Sequence, residues 1–125
     1  MNKVQEVSLW GRELKLSVVY DCYVGEKILP VQREALQRIL AHWDVVDGCK
    51  EAVIAYCETR DQERIREKKI ENIFKYVVPQ QLFIKRTENV HLVYLMCAYR
   101  FNEDDGIAVE FTEEQMTQVG SQNII

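Results

Sequence analysis

The run Val90-His91-Leu92-Val93-Tyr94-Leu95-Met96-Cys97-Ala98-Tyr99, followed by Arg100-Phe101-Asn102-Glu103-Asp104-Asp105-Gly106 and then Ile107-Ala108-Val109-Glu110-Phe111, decides the fold. Successive strand side chains point to opposite faces, so Leu92, Tyr94, Met96 and Ala98 share one side and Val93, Leu95, Cys97 and Tyr99 the other. Both sides are apolar, which predicts a central strand over His91 to Phe101, covered on both faces. Helices can cover one face. A curled sheet, a loop or a second subunit must cover the other, so a homodimer is one expected arrangement. The acidic turn Asn102 to Gly106 then leads into a strand at Ile107 to Phe111, with another at Thr117 to Val119 before Gly120. The pattern is a β-meander.

Working outward, Glu13 to Val24 alternates with a period of two, with Leu14, Leu16, Val18, Tyr20, Cys22 and Val24 on one face. Val4 to Trp10 supplies its partner, and Gly11-Arg12 reads as the hairpin connection, with Trp10 anchoring the core. Pro30 suits the first turn of a helix, and Val31, Ala35, Leu36, Ile39, Leu40 and Trp43 follow at helical spacing. Gln32, Arg33, Gln37 and Arg38 form its expected outward face. Asp44 to Gly48 should break this helix, and Cys49, Ala52, Val53, Tyr56, Cys57 and Arg60 form the stripe of a second. Asp61 to Glu71 is almost wholly charged and reads as a solvated face or exposed connection. If helical, it would carry a row of Arg60, Arg64 and Lys68 beside a row of Glu63, Glu67 and Glu71. Ile70, Ile73, Phe74 and Val77 predict a short third helix ending near Pro79, with a strand at Leu82 to Arg86.

The chain has 125 residues, 47% hydrophobic and 29% charged, in the range of one ordinary globular domain. No apolar stretch approaches a membrane span. The start, Met1 to Glu6, lacks the basic-then-apolar pattern of a secretory signal, so the expected address is the cytoplasm. Cys22, Cys49, Cys57 and Cys97 contain no CxxC. Helical spacing would put Cys49 and Cys57 roughly 12 Å apart, beyond the disulfide reach of about 7 Å. All four read as buried small hydrophobes in a reducing compartment.

The formal charge of −4 is uneven. Residues 1–100 hold 16 Lys and Arg against 14 Asp and Glu, a net of +2, while residues 101–125 hold none against six, a net of −6. That end repels nucleic acid and attracts a basic protein. Acidic turns also keep a sheet edge soluble without any partner.

Motifs for chemistry fail on inspection. Placing Gly106 at the sixth position of an EF-hand loop puts Phe101 first and Thr112 twelfth, and neither supplies the required carboxylate. A turn with glycine at positive φ explains the same residues. His91 and Cys97 would lie roughly 20 Å apart along an extended strand, and His42 reads as an ordinary, partly exposed histidine. There is no GxSxG, P-loop or GxGxxG.

Several short patterns carry a resemblance. They are Trp10-Gly11, Leu29-Pro30-Val31-Gln32-Arg33-Glu34-Ala35-Leu36, a helix ending near Ala55-Tyr56, the Tyr99 to Phe111 segment, and Val119-Gly120-Ser121-Gln122. The chain resembles a group of uncharacterised bacterial domains of unknown function that close on an acidic turn, a glycine, an apolar strand and a final Val/Ile-Gly. Where that group often has Glu-His-Gly, this chain has Asp104-Asp105-Gly106, which removes any turn histidine as ligand or base. The resemblance implies a small cytoplasmic α+β domain without established activity, similar to immunity-type proteins that accompany toxins.

The expectation is one α+β domain over residues 1–125. An N-terminal β-hairpin, two to three helices and a C-terminal antiparallel β-meander should form one sheet with helices packed on one face. Its expected role is non-enzymatic protein interaction with a basic partner, through an acidic edge of Glu103, Asp104, Asp105, Glu110, Glu113 and Glu114. The alternative is a small-molecule or enzymatic pocket where Trp43 and Tyr56 meet the sheet. No catalytic residue, metal or cofactor is assigned, and neither nucleic acid nor membrane is an expected partner.

Overall fold

The computed structural model describes residues 3–125; Met1 and Asn2, read above as part of the chain's start, lie outside them. Strands β1 (Lys3–Leu9) and β2 (Arg12–Tyr20) form the hairpin. Helices α1 (Pro30–Ala41), α2 (Trp43–Asp47) and α3 (Lys50–Arg60) follow. A 3₁₀ turn at Ile73–Lys75 leads into β3 (Val77–Ile84), β4 (Leu92–Tyr99), β5 (Ile107–Thr112) and β6 (Gln115–Gly120). The six strands form one sheet in sequence order. Every neighbouring pair is antiparallel except β2 and β3, which run parallel. A parallel pair needs a long crossover, and the helices occupy it.

The apolar faces pack largely as their periodicity predicts, except that β2 ends at Tyr20 and Val24, expected on its apolar face, is fully exposed in the loop beyond it. Leu16 and Val18 from β2, Leu82 and Ile84 from β3, and Val93, Leu95, Cys97 and Tyr99 from β4 share one buried cluster with Leu36, Ile39, Val53 and Cys57 of the helices. The opposite face of β4 is a second cluster of Tyr94, Met96 and Ala108, against which Phe83, Leu92, Ile124 and Ile125 pack. The chain's own C-terminal segment, not among the expected coverings, packs there. It returns so closely that a Cβ on Gly120 would lie 2.7 Å from Ile124 Cγ2. Gly106, at φ 56°, fits the predicted positive-φ turn, and a Cβ there would meet the Cys97 carbonyl oxygen at 2.3 Å.

Local details depart from the sequence reading. The hairpin turn is Trp10-Gly11, at φ 53° and 84°, one residue earlier than expected. Tryptophan is strained there, but its side chain is buried and its backbone N–H donates to Asp47 Oδ1 at 2.7 Å. Asp44 to Gly48 is mostly the short α2, with the helix broken at His42 instead. The charged stretch after α3 is a series of turns and bends. Burying Ile65 and Ile70 outweighs helical ion pairs of a few tenths of a kcal/mol each. The third helix shrinks to the 3₁₀ turn, and β3 begins at Val77 with Pro79 inside it. Proline is tolerated because the register shifts between Pro79 and Gln81, and pairing to β2 starts only at Gln81.

Gln32 is the main reversal. Instead of facing outward, it is 1% exposed. Its Oε1 accepts the Leu29 N–H at 2.9 Å, and its Nε2 donates to the carbonyls of Asp21 at 3.0 Å and Ile84 at 3.2 Å. One side chain therefore joins the exit of β2, the start of α1 and the end of β3. Gln32→Leu keeps the volume but removes the partner of the Leu29 N–H and of the Asp21 carbonyl and leaves the Ile84 carbonyl with the Asp21 N–H alone. We expect a loss of about 2–4 kcal/mol, read as a lower urea midpoint with an unchanged m-value.

Candidate functional site

The antiparallel pairing of Leu92 with Thr112 sets His91 beside the β5–β6 turn. There the His91 N–H donates to Glu113 Oε1 at 3.0 Å, and the Glu113 N–H donates to the His91 carbonyl at 2.9 Å. The turn residues Glu113 and Glu114 both sit at positive φ, 48° and 61°. Two-residue hairpins favour Asn-Gly at such positions, and two glutamates cost on the order of 1 kcal/mol each in backbone strain.

Side-chain contacts oppose that cost. His91 Nδ1 lies 3.1 Å from Glu113 Oε2 and 3.2 Å from Glu114 Oε2. Arg38 Nε donates to Glu114 Oε1 at 2.8 Å, and His91 Nε2 lies 3.6 Å from Glu34 Oε1. Glu34 and Arg38 are four residues apart on α1, so one helix face supplies both to the end of the sheet. Burial pushes the Glu114 carboxyl up. The hydrogen bonds from Arg38 and His91, with their positive charge, outweigh it and hold the group below its ordinary value.

Beside this cluster opens a cleft of ≈ 670 Å³ between the start of α1 and the β3–β4 loop. Glu34, Glu88, His91 and Glu113 line its polar side, and Leu29, Pro30 and Val31 its apolar side. The Glu34 and Glu113 side chains are 58% and 54% exposed, so the cleft offers a ligand negative charge.

His91, Glu113 and Glu114 each present one ligand atom within 4.8 Å of the others, so these three could hold a divalent ion. A metal there would replace the His91–Glu114 Oε2 contact and sit beside the Arg38 guanidinium on Oε1, whose positive charge opposes it. As it stands, Arg38 and Glu34 join the trio to α1 and so clamp that helix to the sheet.

The six predicted acids do not share one edge. Glu113 and Glu114 lie at this end. Glu103 and Asp104 are exposed at the β4–β5 turn, with Asp105 half-buried beside them. The six residues of β5 separate the two ends, roughly 20 Å. Glu110 lies between, accepting from the hydroxyls of Tyr94 at 2.8 Å and Thr117 at 2.6 Å. Sequence reasoning missed His91, Glu34 and Arg38; the meander register, which sets His91 opposite Glu113, was the signal for the first. Trp43 and Tyr56 pack against the core, and the Trp43 indole donates to the Ser8 carbonyl at 2.8 Å.

The thiols are poor nucleophiles. Burial pushes Cys49 up to about 12 and Cys57 up to about 11, and raises the wholly enclosed Cys97 well above the usual thiol range. Cys22, half-buried, is the accessible one.

Fold and site together define a mixed-sheet α+β domain with an acidic cleft at one end of the sheet. A family model described as a domain of unknown function, DUF6985, matches residues 1–125, and the chain belongs to that family. No curated protein and no solved structure matches it.

Because Glu114 titrates below its unfolded value of about 4.3, its contribution to stability is present above that pH and lost as pH falls through the folded value. The Tm difference between wild type and Glu114→Gln should therefore be largest near neutrality and shrink below about pH 4. Thermal melts of both proteins across that range check it. At pH 8 a maleimide should label the native protein at Cys22 alone, and all four cysteines in denaturant, as read by intact mass.

Proposed function

We propose that the chain acts as one non-enzymatic binding domain in the cytoplasm and that its partner is a basic protein, with neither nucleic acid nor membrane as a target. The single observation carrying this reading is the cleft beside His91, where Glu34, Glu88 and Glu113 keep carboxylates accessible to a partner's lysine or arginine. Behind them the Arg38–Glu114 ion pair ties α1 to the β5–β6 turn. Glu103 and Asp104 contribute a second acidic contact at the far turn, and Asp105 supports it. Glu110 and Glu114 serve to position their neighbours. Four free thiols favour a reducing compartment, and no helix among the described residues is long and apolar enough to cross a membrane. The sharpest form of this reading is an immunity-type role in which the basic partner is a toxin.

A second reading rests on the volume of the cleft, ≈ 670 Å³, which lies in the range of small-molecule sites. A cationic small molecule would then take the place of the protein side chain.

Titration of the ¹⁵N-labelled protein with a lysine-rich decapeptide separates the two readings. The expected outcome is saturable shifts at the amides of Glu34, Glu88, His91 and Glu113, weakening steeply between roughly 20 and 200 mM salt. The variant E34Q/E88Q/E113Q should bind at least about tenfold more weakly. Shifts confined to residues 103–105 would move the surface to the other end, and salt-independent binding would rule out charge recognition. Saturation of the same amides by spermidine at lower concentration than the peptide would favour the small-molecule reading.

A further inference from the structure

The far end of the sheet carries a different cluster. The turns after α3, the 3₁₀ turn before β3 and the exit of β4 together enclose a cleft of ≈ 280 Å³ lined by Arg64, Arg66, Lys75, Tyr76, Arg100 and Phe101. Three segments distant in sequence thus bring four cations together. Arg64 and Arg100 are held by one ring: their guanidinium carbons lie 5.8 Å and 5.9 Å from the centre of Phe101. That ring is itself braced by Tyr76 and Tyr99, at centroid separations of 5.8 Å and 5.7 Å. The Arg64 Nη1 also donates to the Phe101 carbonyl at 3.4 Å, and the Arg100 N–H donates to the Tyr76 carbonyl at 2.9 Å.

The carboxylates nearby do not neutralise the arginines. Glu67, which lines the same cleft, accepts the Tyr76 hydroxyl and lies 3.7 Å from Lys75. Glu103 lines the adjoining cleft. Among the described residues neither it nor any other carboxylate comes within 4.0 Å of Arg64, Arg66 or Arg100. Elsewhere Arg38, Arg60 and Arg86 each have a carboxylate partner, while Arg12 and Arg33 stand singly; only here do several such arginines line one cleft among the described residues. Three uncompensated guanidiniums around one cleft repel one another, and an anion relieves that repulsion. A carboxylate is planar and matches one guanidinium fork, whereas a tetrahedral phosphate presents oxygens in several directions and suits several forks at once.

We propose that this cleft binds a small phosphate-bearing ligand, with Arg64, Arg66 and Arg100 donating to the phosphate oxygens and Lys75 adding charge at its rim. Guanidiniums already seated on an aromatic ring lose less freedom on binding than free ones, which favours a site over a diffuse counter-ion cloud.

Inorganic phosphate, ATP and citrate titrated separately into the ¹⁵N-labelled full chain, at matched ionic strength, test this. The expected result is saturable shifts at Arg64, Arg66, Tyr76 and Arg100 with phosphate and more tightly with ATP. Citrate should bind at least about tenfold more weakly than ATP, and R66Q/R100Q should lower ATP affinity by about tenfold or more. Should the double variant melt early, R66Q alone carries the same expectation, since Arg66 has no carboxylate partner to lose. The E34Q/E88Q/E113Q variant should bind ATP as the wild type does, which separates this site from the acidic cleft. A linear, unsaturated response equal to that of sodium chloride would overturn the proposal. So would ATP affinity unchanged in R66Q/R100Q, and citrate binding as tightly as ATP would overturn the assignment to phosphate.

Discussion

The carboxamide of Gln32 is the interaction on which the other parts depend. A sheet that turns parallel between β2 and β3 must release the chain from one strand, build helices and return it in register. Where that detour begins, the Asp21 carbonyl and the Leu29 N–H need partners, and the Ile84 carbonyl can accept a second bond. One amide has an acceptor and two donors, and here it meets all three. Asp21 secures the same junction, its N–H donating to the Ile84 carbonyl and its carboxylate accepting the Arg86 N–H. With this junction closed, the first turn of α1 has one position against the sheet. Glu34 and Arg38, on the turns that follow, are thereby aimed at the β5–β6 turn.

Charge is used in two ways along this route. Glu114 is enclosed, its side chain 8% exposed, and both of its oxygens have partners in Arg38 and His91. Such a group holds elements together and gives a ligand little. Glu34, Glu88 and Glu113 face outward and gain little from neighbours in high-dielectric surroundings. The strained backbone of Glu113 and Glu114 fits this division. The turn is held where glycine and asparagine would relax, because two glutamates there place one carboxylate inward and one at the rim.

The opposite end of the sheet answers with arginines. Its cations come from a stretch that looks, in one dimension, like a balanced solvated segment. Folding breaks the balance. Glu67 turns to Tyr76 and Lys75, Asp61 is buried against Tyr99 and Arg60, and Glu58 accepts the Ile70 N–H. Glu67 shares the cleft but is turned to Lys75 and Tyr76, and among the described residues Arg64, Arg66 and Arg100 line it without a direct carboxylate partner. A count of charges along the chain cannot reveal this, since it treats an enclosed carboxylate and a free one alike.

Apolar periodicity by itself determined the kinds of element and most of their faces: the hairpin, the helices after Pro30, and the two-sided run from Leu92 to Tyr99 that had to lie inside a sheet. These follow from the sequence because a period of two or of 3.6 states directly which side of an element avoids water. Glycine at Gly106 was equally readable as a positive-φ turn position, and the structure adds its close approach to Cys97. Only the tertiary structure decided that Gln32 points inward, that the C-terminal isoleucines cover the second face, and that Arg38 meets Glu114 across 76 positions and His91 meets Glu113 across 22. Polar side chains carry no periodic signal of their partners. Which of them are used up in holding the fold, and which are left for a ligand, depends on strand register and on the packing of α1 against the sheet.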